Sequence, residues 1–233
     1  MDLKIKDVAD LLNVSEQRLT QLIEEGKIPA YRIKQDYRFN RQEIEDWVML
    51  QKHNKSANEI DPTLEISNPT KRGSKQFSLY RAINKGGVLF NVPGEDKEAI
   101  IRGTMKRIAA EQNLDADLIS DLLLDRELLQ STALGKGIAI PHTRDFLLSN
   151  HCDTVTVVFL EKPIEYEAMD GKPVHTLFFL FASDDRHHLH LLAKIAHLSQ
   201  QPETLALLQT LPSRSALLDY IKDWESRVQQ AIN

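Results

Sequence analysis

Residues 174–182 read VHTLFFLFA, and this short run decides how the larger part of the chain folds. A membrane-spanning helix needs about 20 apolar residues, so the run is too short to cross a bilayer. A strand with one wet face would alternate apolar and polar side chains, and this one barely does. It reads as a central strand covered on both sides, which requires helices on each face of its sheet. Working outward, CDTVTVVFL (152–160) and GGVLFNV (86–92) supply further strands. The helical pattern is carried by DKEAIIRGTMKRIAAEQ (96–112), DADLISDLLLDRELL (115–129), HHLHLLAKIAHL (187–198) and SALLDYIKDW (215–224). In the second of these, Leu118, Leu122 and Leu123 are expected to point inward. The expectation for residues 77–233 is an α/β domain, a mixed sheet flanked by helices on both faces.

Ahead of this domain, residues 53–76 are polar and punctuated by proline, without sustained apolar periodicity. Such a stretch buries too little apolar surface to offset the entropy of ordering it, and reads as a linker. Residues 1–52 form a separate module. IKDVADLL (5–12) places Val8, Leu11 and Leu12 on one helical face, and Asn13-Val14-Ser15 makes a tight connection. Ser15 has the hydroxyl of an N-cap, and Gly26 stands where a helix from Glu16 to Glu25, with Leu19, Leu22 and Ile23 inward, should stop. IPAYRIKQDYRF (28–39) reads as a hairpin packed through Tyr31, Tyr37 and Phe39. RQEIEDWVML (41–50) reads as a third helix with Ile44, Trp47 and Val48 inward. Helix, turn, helix, hairpin, helix is a winged helix-turn-helix order.

The stretch VADLLNVSEQRLTQLIEEGKIPAYRI, continued by YRFNRQEIEDWV, resembles the excisionase/MerR-type DNA-binding domains over roughly the first 50 residues. The resemblance implies that the second helix enters the major groove, with Gln17, Arg18 and Gln21 facing base edges. It also implies that Arg32, Lys34 and Arg38 on the wing neutralise phosphates. Residues 1–55 hold ten Lys or Arg against ten Asp or Glu, so the module is neutral and its alternative role is docking to protein. One such module reads few base pairs, which calls for a homodimer or a partner.

Chemistry concentrates in RELLQSTALGKGIAIPHTR, residues 126–144. Gly135 and Gly137 permit a sharp turn whose N–H groups are suited to an anion-binding nest. Pro141 ends the apolar Ile138-Ala139-Ile140 just before His142. A neutral imidazole is a competent nucleophile at pH 7, able to attack phosphorus and hold a labile phosphoramidate. From the residues alone, a lone histidine after proline reads more often as structural than as catalytic.

LLDRELLQSTALGKGIAIPH is similar to the signature of the phosphotransferase-system IIA domains of the mannitol/fructose type, especially the nitrogen-regulatory branch, and the resemblance extends over about residues 77–233. It implies that His142 accepts a phosphoryl group from a histidine phosphocarrier protein. It further implies that Arg126 offers its guanidinium fork to the phosphoryl oxygens, that His188 supports His142, and that Ser131 and Thr132 donate hydroxyl hydrogen bonds. Many relatives have Gly or Ala after the histidine, whereas this chain has Thr143 and Arg144. Arg144 either adds a cation near the phosphoryl group or faces solvent.

His187, His188, His190 and His197 crowd one helix, but no His-x-x-x-His pair and no cysteine partner accompany them, so neither a metal nor a cofactor is expected. His175 reads as a core or edge histidine, and His53 and His151 as surface residues. The single cysteine, Cys152, fits a reducing cytoplasm, and the N-terminus has no signal-peptide pattern. A net charge of −5 gives no overall attraction to nucleic acid, so DNA binding must come from a local patch. The resulting expectation is a cytoplasmic regulator in which phosphorylation at His142 is coupled to DNA binding or to regulatory protein targets. The alternatives are a phosphocarrier that passes phosphoryl groups to a sugar-transport IIB partner and a non-phosphorylatable interaction scaffold.

Overall fold

The computed structural model describes residues 2–12, 14–33, 36–50, 78–112, 115–143 and 153–230. The expected linker, together with Lys34, His53, Arg144, His151, Cys152 and the side chain of Leu11, lies outside the described residues. Two compact units emerge: Met1–Gln76 with Asp223–Asn233, and Phe77–Lys222.

The first unit runs β1 (Asp2–Lys4), α1 (Ile5–Leu12), α2 (Glu16–Glu24), β2 (Tyr31–Ile33), β3 (Asp36–Asn40) and α3 (Arg41–Leu50). Ser15 caps α2 as its hydroxyl requires, accepting from the Arg18 N–H at 3.1 Å. Gly26, at φ +65°, ends the turn after that helix. Val8, Leu19, Leu22, Phe39 and Ile44 are buried together, joined by Val14 and Ile28. The strands form a sheet in the order β1-β3-β2. β1 was not expected, because three residues are too few to show a period. Tyr31 corrects the packed-hairpin expectation. Phe39 is fully buried and Tyr37 half-buried, but Tyr31 is exposed, with its hydroxyl donating to the Glu43 carboxylate.

The second unit runs α4 (Ser78–Gly86), β4 (Val88–Val92), α5 (Lys97–Gln112), α6 (Ala116–Leu129), β5 (Ala133–Gly135), β6 (Ile138–Ala139), β7 (Thr154–Ile164), β8 (Val174–Phe181), α7 (Asp185–Leu198), α8 (Pro202–Gln209) and α9 (Arg214–Gln230), the unit boundary falling within α9. Its sheet has the order β4-β7-β8-β6-β5. β4 is parallel to β7 and β6 to β8, while β7 with β8 and β5 with β6 are antiparallel. The sheet is therefore mixed. The apolar run that is now β8 occupies its middle, and Leu177, Phe178, Phe179 and Leu180 are all fully buried.

Both faces are covered. Leu177, Phe179 and Phe181 join Ile100, Ile101, Met105, Ile119 and Leu123 of α5 and α6 in one cluster. On the other side α7 packs on β8, and α4 packs on β7 and α7. Each fully buried Phe or Leu contributes about 1.5–3 kcal/mol relative to exposure, so this central strand anchors the unit. In α6 the inward stripe is Ile119, Ser120, Leu123, Arg126 and Glu127. Leu118 is 52% exposed, contrary to expectation, and Leu122 is half-buried. The leucine-rich segment offers several apolar stripes, and only the packed neighbours choose among them. α8, with Pro202 at its first turn, was also not anticipated.

Candidate active site

The chain enters the site from the turn between β5 and β6. Gly135, Lys136 and Gly137 all have positive φ. A Cβ on Gly137 would lie 2.4 Å from His175 Cδ2, and one on Gly135 would lie 2.9 Å from Asp170 Oδ2, so both glycines are required by close approach as well as by conformation. The Lys136 N–H donates to Asp170 Oδ2 at 2.6 Å. The expected anion-binding turn thus faces the protein's own carboxylate. Moreover, it precedes β6 whereas His142 follows it, and a separation of five extended residues is roughly 15 Å.

At the far end of β6 the chain is held from both sides. Ile140 N donates to Thr132 O at 3.0 Å, Leu180 N donates to Pro141 O at 3.0 Å, and His142 bridges Leu180 in parallel register. His142 therefore sits at the carboxyl ends of the parallel pair β6 and β8, where open α/β sheets present their ligand sites. The residue is 1% exposed. Its Nδ1 lies 2.7 Å from Ile140 O. A carbonyl can only accept, so Nδ1 carries a proton, and in the neutral form of the ring the lone pair is then on Nε2.

His188 comes from the N-terminal part of α7, beyond the N-cap Asp184, and is fully buried. Its ring centroid is 5.2 Å from that of His142, with the planes inclined by 47°. Two histidines 46 positions apart in sequence are thus brought together. Arg126 occupies the last turn of α6, buried, with Nη1 donating to Gln130 O at 3.0 Å. Thr143 is buried beside His142 in the chain.

Ser131 and Thr132 have hydroxyl partners within the protein. Ser131 Oγ donates to Tyr166 O at 2.7 Å, and Thr132, fully buried, donates its hydroxyl to Glu127 Oε1. Each hydroxyl has one proton, which in this structure goes to a protein acceptor.

Glu127, the residue after Arg126, went unnoticed in the sequence. Its buried carboxylate also accepts from Thr132 N–H at 3.0 Å and from the Tyr166 hydroxyl at 3.1 Å, and Lys97 Nζ lies 3.6 Å away. Burial pushes the Glu127 carboxyl above the usual carboxylate range, against the opposing pull of Thr132, Lys97 and Tyr166. Burial, followed by the neighbouring Glu127 charge, raises the Tyr166 phenol well above its ordinary value. The only hint in the sequence was its place on the buried stripe of α6, four residues after Leu123.

Three further described histidines, His175, His187 and His190, have protein partners. His187 Nδ1 lies 3.2 Å from Asp153 Oδ2 and 3.0 Å from Ser183 Oγ, and His190 Nε2 lies 3.1 Å from Ser78 Oγ. His175, half-buried, has its Nδ1 2.8 Å from Thr176 Oγ1. Among the described residues no group of three His, Cys, Asp or Glu is placed to hold a metal ion, and no helix is long and apolar enough to cross a membrane.

In the first unit, Gln17 and Gln21 are exposed one helical turn apart on α2, and Arg18 Nη1 donates to Gln21 Oε1 at 2.8 Å. Arg32 is exposed on β2. Arg38 is half-buried and engaged by Asp36 at 3.4 Å and by Tyr37 O at 3.2 Å, so part of its charge is answered within the hairpin.

A family model described as "Phosphoenolpyruvate-dependent sugar phosphotransferase system, EIIA 2" matches residues 81–224, and one described as "Helix-turn-helix domain" matches residues 3–49. A nitrogen regulatory protein of Pseudomonas aeruginosa is 34% identical over 148 residues, covering 62% of this chain and 95% of that protein. A fructose-specific EIIABC component of Bacillus subtilis is 27% identical over 148 residues, which span 62% of this chain but 23% of that protein. Among solved structures, the nitrogen regulatory protein IIA-Ntr of Neisseria meningitidis is similar with a TM-score of 0.52 at 28% identity, over 61% of this chain and 94% of that one. By this family match, supported by the structural similarity, the chain belongs to the EIIA type 2 family of the phosphoenolpyruvate-dependent sugar phosphotransferase system, carrying a helix-turn-helix domain ahead of it.

Proposed function

We propose that the protein is a regulatory phosphoryl acceptor, phosphorylated at Nε2 of His142 by a histidine phosphocarrier protein, with the phosphorylated state coupled to DNA binding by residues 1–52. Residues 77–233 form the acceptor domain and 53–76 the linker. The observation that carries this reading is the pairing of His142 with His188 while Ile140 O holds the Nδ1 proton. In the transfer, the Nε2 lone pair forms the new N–P bond as the donor's N–P bond breaks; the electron pair of that bond stays on the donor imidazole nitrogen, which takes up a proton from solvent. Positive charge spreads over the His142 ring as the bond forms, and the Nδ1–H to Ile140 O contact strengthens in response. Arg126 supplies donors to the phosphoryl oxygens, and His188 steadies the acceptor ring. Ser131 and Thr132 contribute by shaping the segment that leads to the site. With His142 so little exposed, a donor reaches Nε2 when the surrounding side chains move aside, and water is otherwise kept from the phosphoramidate. The protein is thus a phosphocarrier with a phosphohistidine state rather than a conventional enzyme.

Intact-protein mass spectrometry after incubation with phosphoenolpyruvate, enzyme I and the carrier tests this. One acid-labile phosphoryl group, absent in His142→Ala, is expected. No gain with an active carrier leaves the scaffold reading in its place. A second reading, transfer onward to a IIB partner, is favoured by the similarity to the fructose-specific component. Loss of label from the phosphorylated protein on adding a IIB domain distinguishes it.

A further inference from the structure

We propose that Glu127 is a positioning residue for His142, acting through Thr132 and Ile140. The inference rests on the reading of His142 as a phosphoryl acceptor. Four contacts form a continuous path. Glu127 Oε2 accepts from Thr132 N–H at 3.0 Å and Oε1 from the Thr132 hydroxyl. Thr132 O accepts from Ile140 N–H at 3.0 Å. Ile140 O lies 2.7 Å from His142 Nδ1. The acceptor ring is thereby referred back, in three residue-to-residue steps, to a carboxylate on the buried face of α6.

A second hold fixes the same segment from its other neighbour. Ser131 Oγ donates to Tyr166 O at 2.7 Å, while the Tyr166 hydroxyl donates to Glu127 Oε1 at 3.1 Å. Residues 131 and 132 are therefore gripped by a pair that also grips itself. Lys97 Nζ closes the arrangement 3.6 Å from Glu127 and 4.9 Å above the Tyr166 ring.

Position, not charge, passes along this path. The N–H and C=O of Thr132 belong to different peptide groups separated by Cα, as do those of Ile140, so polarisation does not run continuously from the carboxylate to the imidazole. What is transmitted is register. β5 and β6 are short, and a one-residue slip between them would break the Ile140 N–H to Thr132 O bond that fixes the backbone carrying Ile140 O and His142. Burying a carboxylate is costly unless its acceptor sites are filled, and an apolar residue on the α6 stripe would serve packing alone. A carboxylate met by Thr132 twice, by Tyr166 and by Lys97 is suited instead to holding one arrangement.

The test compares Glu127→Ala with Glu127→Gln in the full chain. Glutamine is isosteric. Its carbonyl oxygen can accept from Thr132 N–H, and its amide can donate to the Thr132 and Tyr166 hydroxyl oxygens, so it preserves the hold without the charge. The readouts are nitrogen-15 imidazole spectra, which report the His142 tautomer, and the steady-state constants for phosphorylation by the phosphorylated carrier. The alanine variant is expected to show a mixture of His142 tautomers and a kcat lower by about tenfold to a hundredfold, the scale of a small misplacement of reacting groups. Its KM is expected to stay unchanged, because Glu127 is buried away from any donor. The glutamine variant should keep the wild-type tautomer and a kcat within about threefold, a difference below the energy of one hydrogen bond. An alanine variant with the wild-type tautomer and kcat overturns the proposal even if its melting temperature falls, and so does a glutamine variant as impaired as alanine. Should Glu127→Ala fail to fold, Thr132→Val, which removes only the hydroxyl link, is judged by the same tautomer and kcat criteria against Thr132→Ser. A wild-type chain that takes no phosphoryl group sinks the functional reading, while the tautomer spectra still decide the role of Glu127.

Discussion

At His142 the main chain and the ring are constrained by different neighbours. Thr132 and Leu180 hold the strand that delivers it, and Ile140 O holds Nδ1. That division lets a side chain of modest intrinsic reactivity be presented in a single tautomer. Gly137 is the least replaceable residue of the delivering turn, since its φ is +82° and the His175 ring occupies the place of a Cβ. Gly137→Ala is expected to destabilise the domain by about 3 kcal/mol, the upper part of the range for a forced left-handed residue, read from urea unfolding. His175 itself confers a pH dependence. Burial lowers its folded pKa, so as pH falls the unfolded chain takes up the proton first. Its contribution is fully present above the unfolded value near 6.5 and is lost as pH drops from there toward the folded pKa. Melting temperatures between pH 7.5 and 5.5 should therefore fall less in His175→Gln than in the wild type.

At the scale of elements, caps and buried stripes have separable effects. Ser15→Ala removes the acceptor for the Arg18 N–H and should cost about 1 kcal/mol in the N-terminal module, seen as an earlier melting transition. On α6 two leucines of the same segment should respond oppositely. Leu123→Ala opens a cavity in the main cluster and should cost about 2–5 kcal/mol, whereas Leu118→Ala, on the exposed side, should stay within about 0.5 kcal/mol. Equal losses at both positions would refute the orientation given for α6. The helix-turn-helix elements were legible in outline because Ser15, Gly26 and the apolar spacing of α2 act within a few residues. The three-residue β1 was not legible, because its only signal is the pairing of Leu3 with Phe39.

For the whole molecule, the proposal joins a histidine chemistry in one unit to nucleic-acid recognition in the other. DNA selected from a random duplex pool should bind the phosphorylated and unphosphorylated protein with different affinities by fluorescence anisotropy. His142→Ala should be insensitive to the phosphoryl donors. Identical affinities for the two states would separate the modules functionally. Of the two described wing cations, Arg32 is the more open to phosphate, whereas Arg38 already engages Asp36, so Arg32→Ala should reduce the slope of log affinity against log salt by about one.

The sequence by itself determined the class of fold and singled out the residue proposed as acceptor. VHTLFFLFA read as a doubly covered strand, the helical segments around it supplied the cover, and His142 stood out through the signature that ends in Ile-Pro-His. These signals are local, carried by side-chain periodicity and by a few adjacent residues. Tertiary structure alone decided which leucines of α6 face inward, that the hydroxyls of Ser131 and Thr132 serve Tyr166 and Glu127, and that the glycine turn faces Asp170 instead of the site. It also decided that Glu127 underlies the segment bearing His142. Each of these depends on which segments the strand order β4-β7-β8-β6-β5 brings side by side, across sequence separations such as the 39 residues between Glu127 and Tyr166. Periodicity records which face of an element is apolar, but not which distant element will cover it, because that choice is made by packing the whole sheet at once.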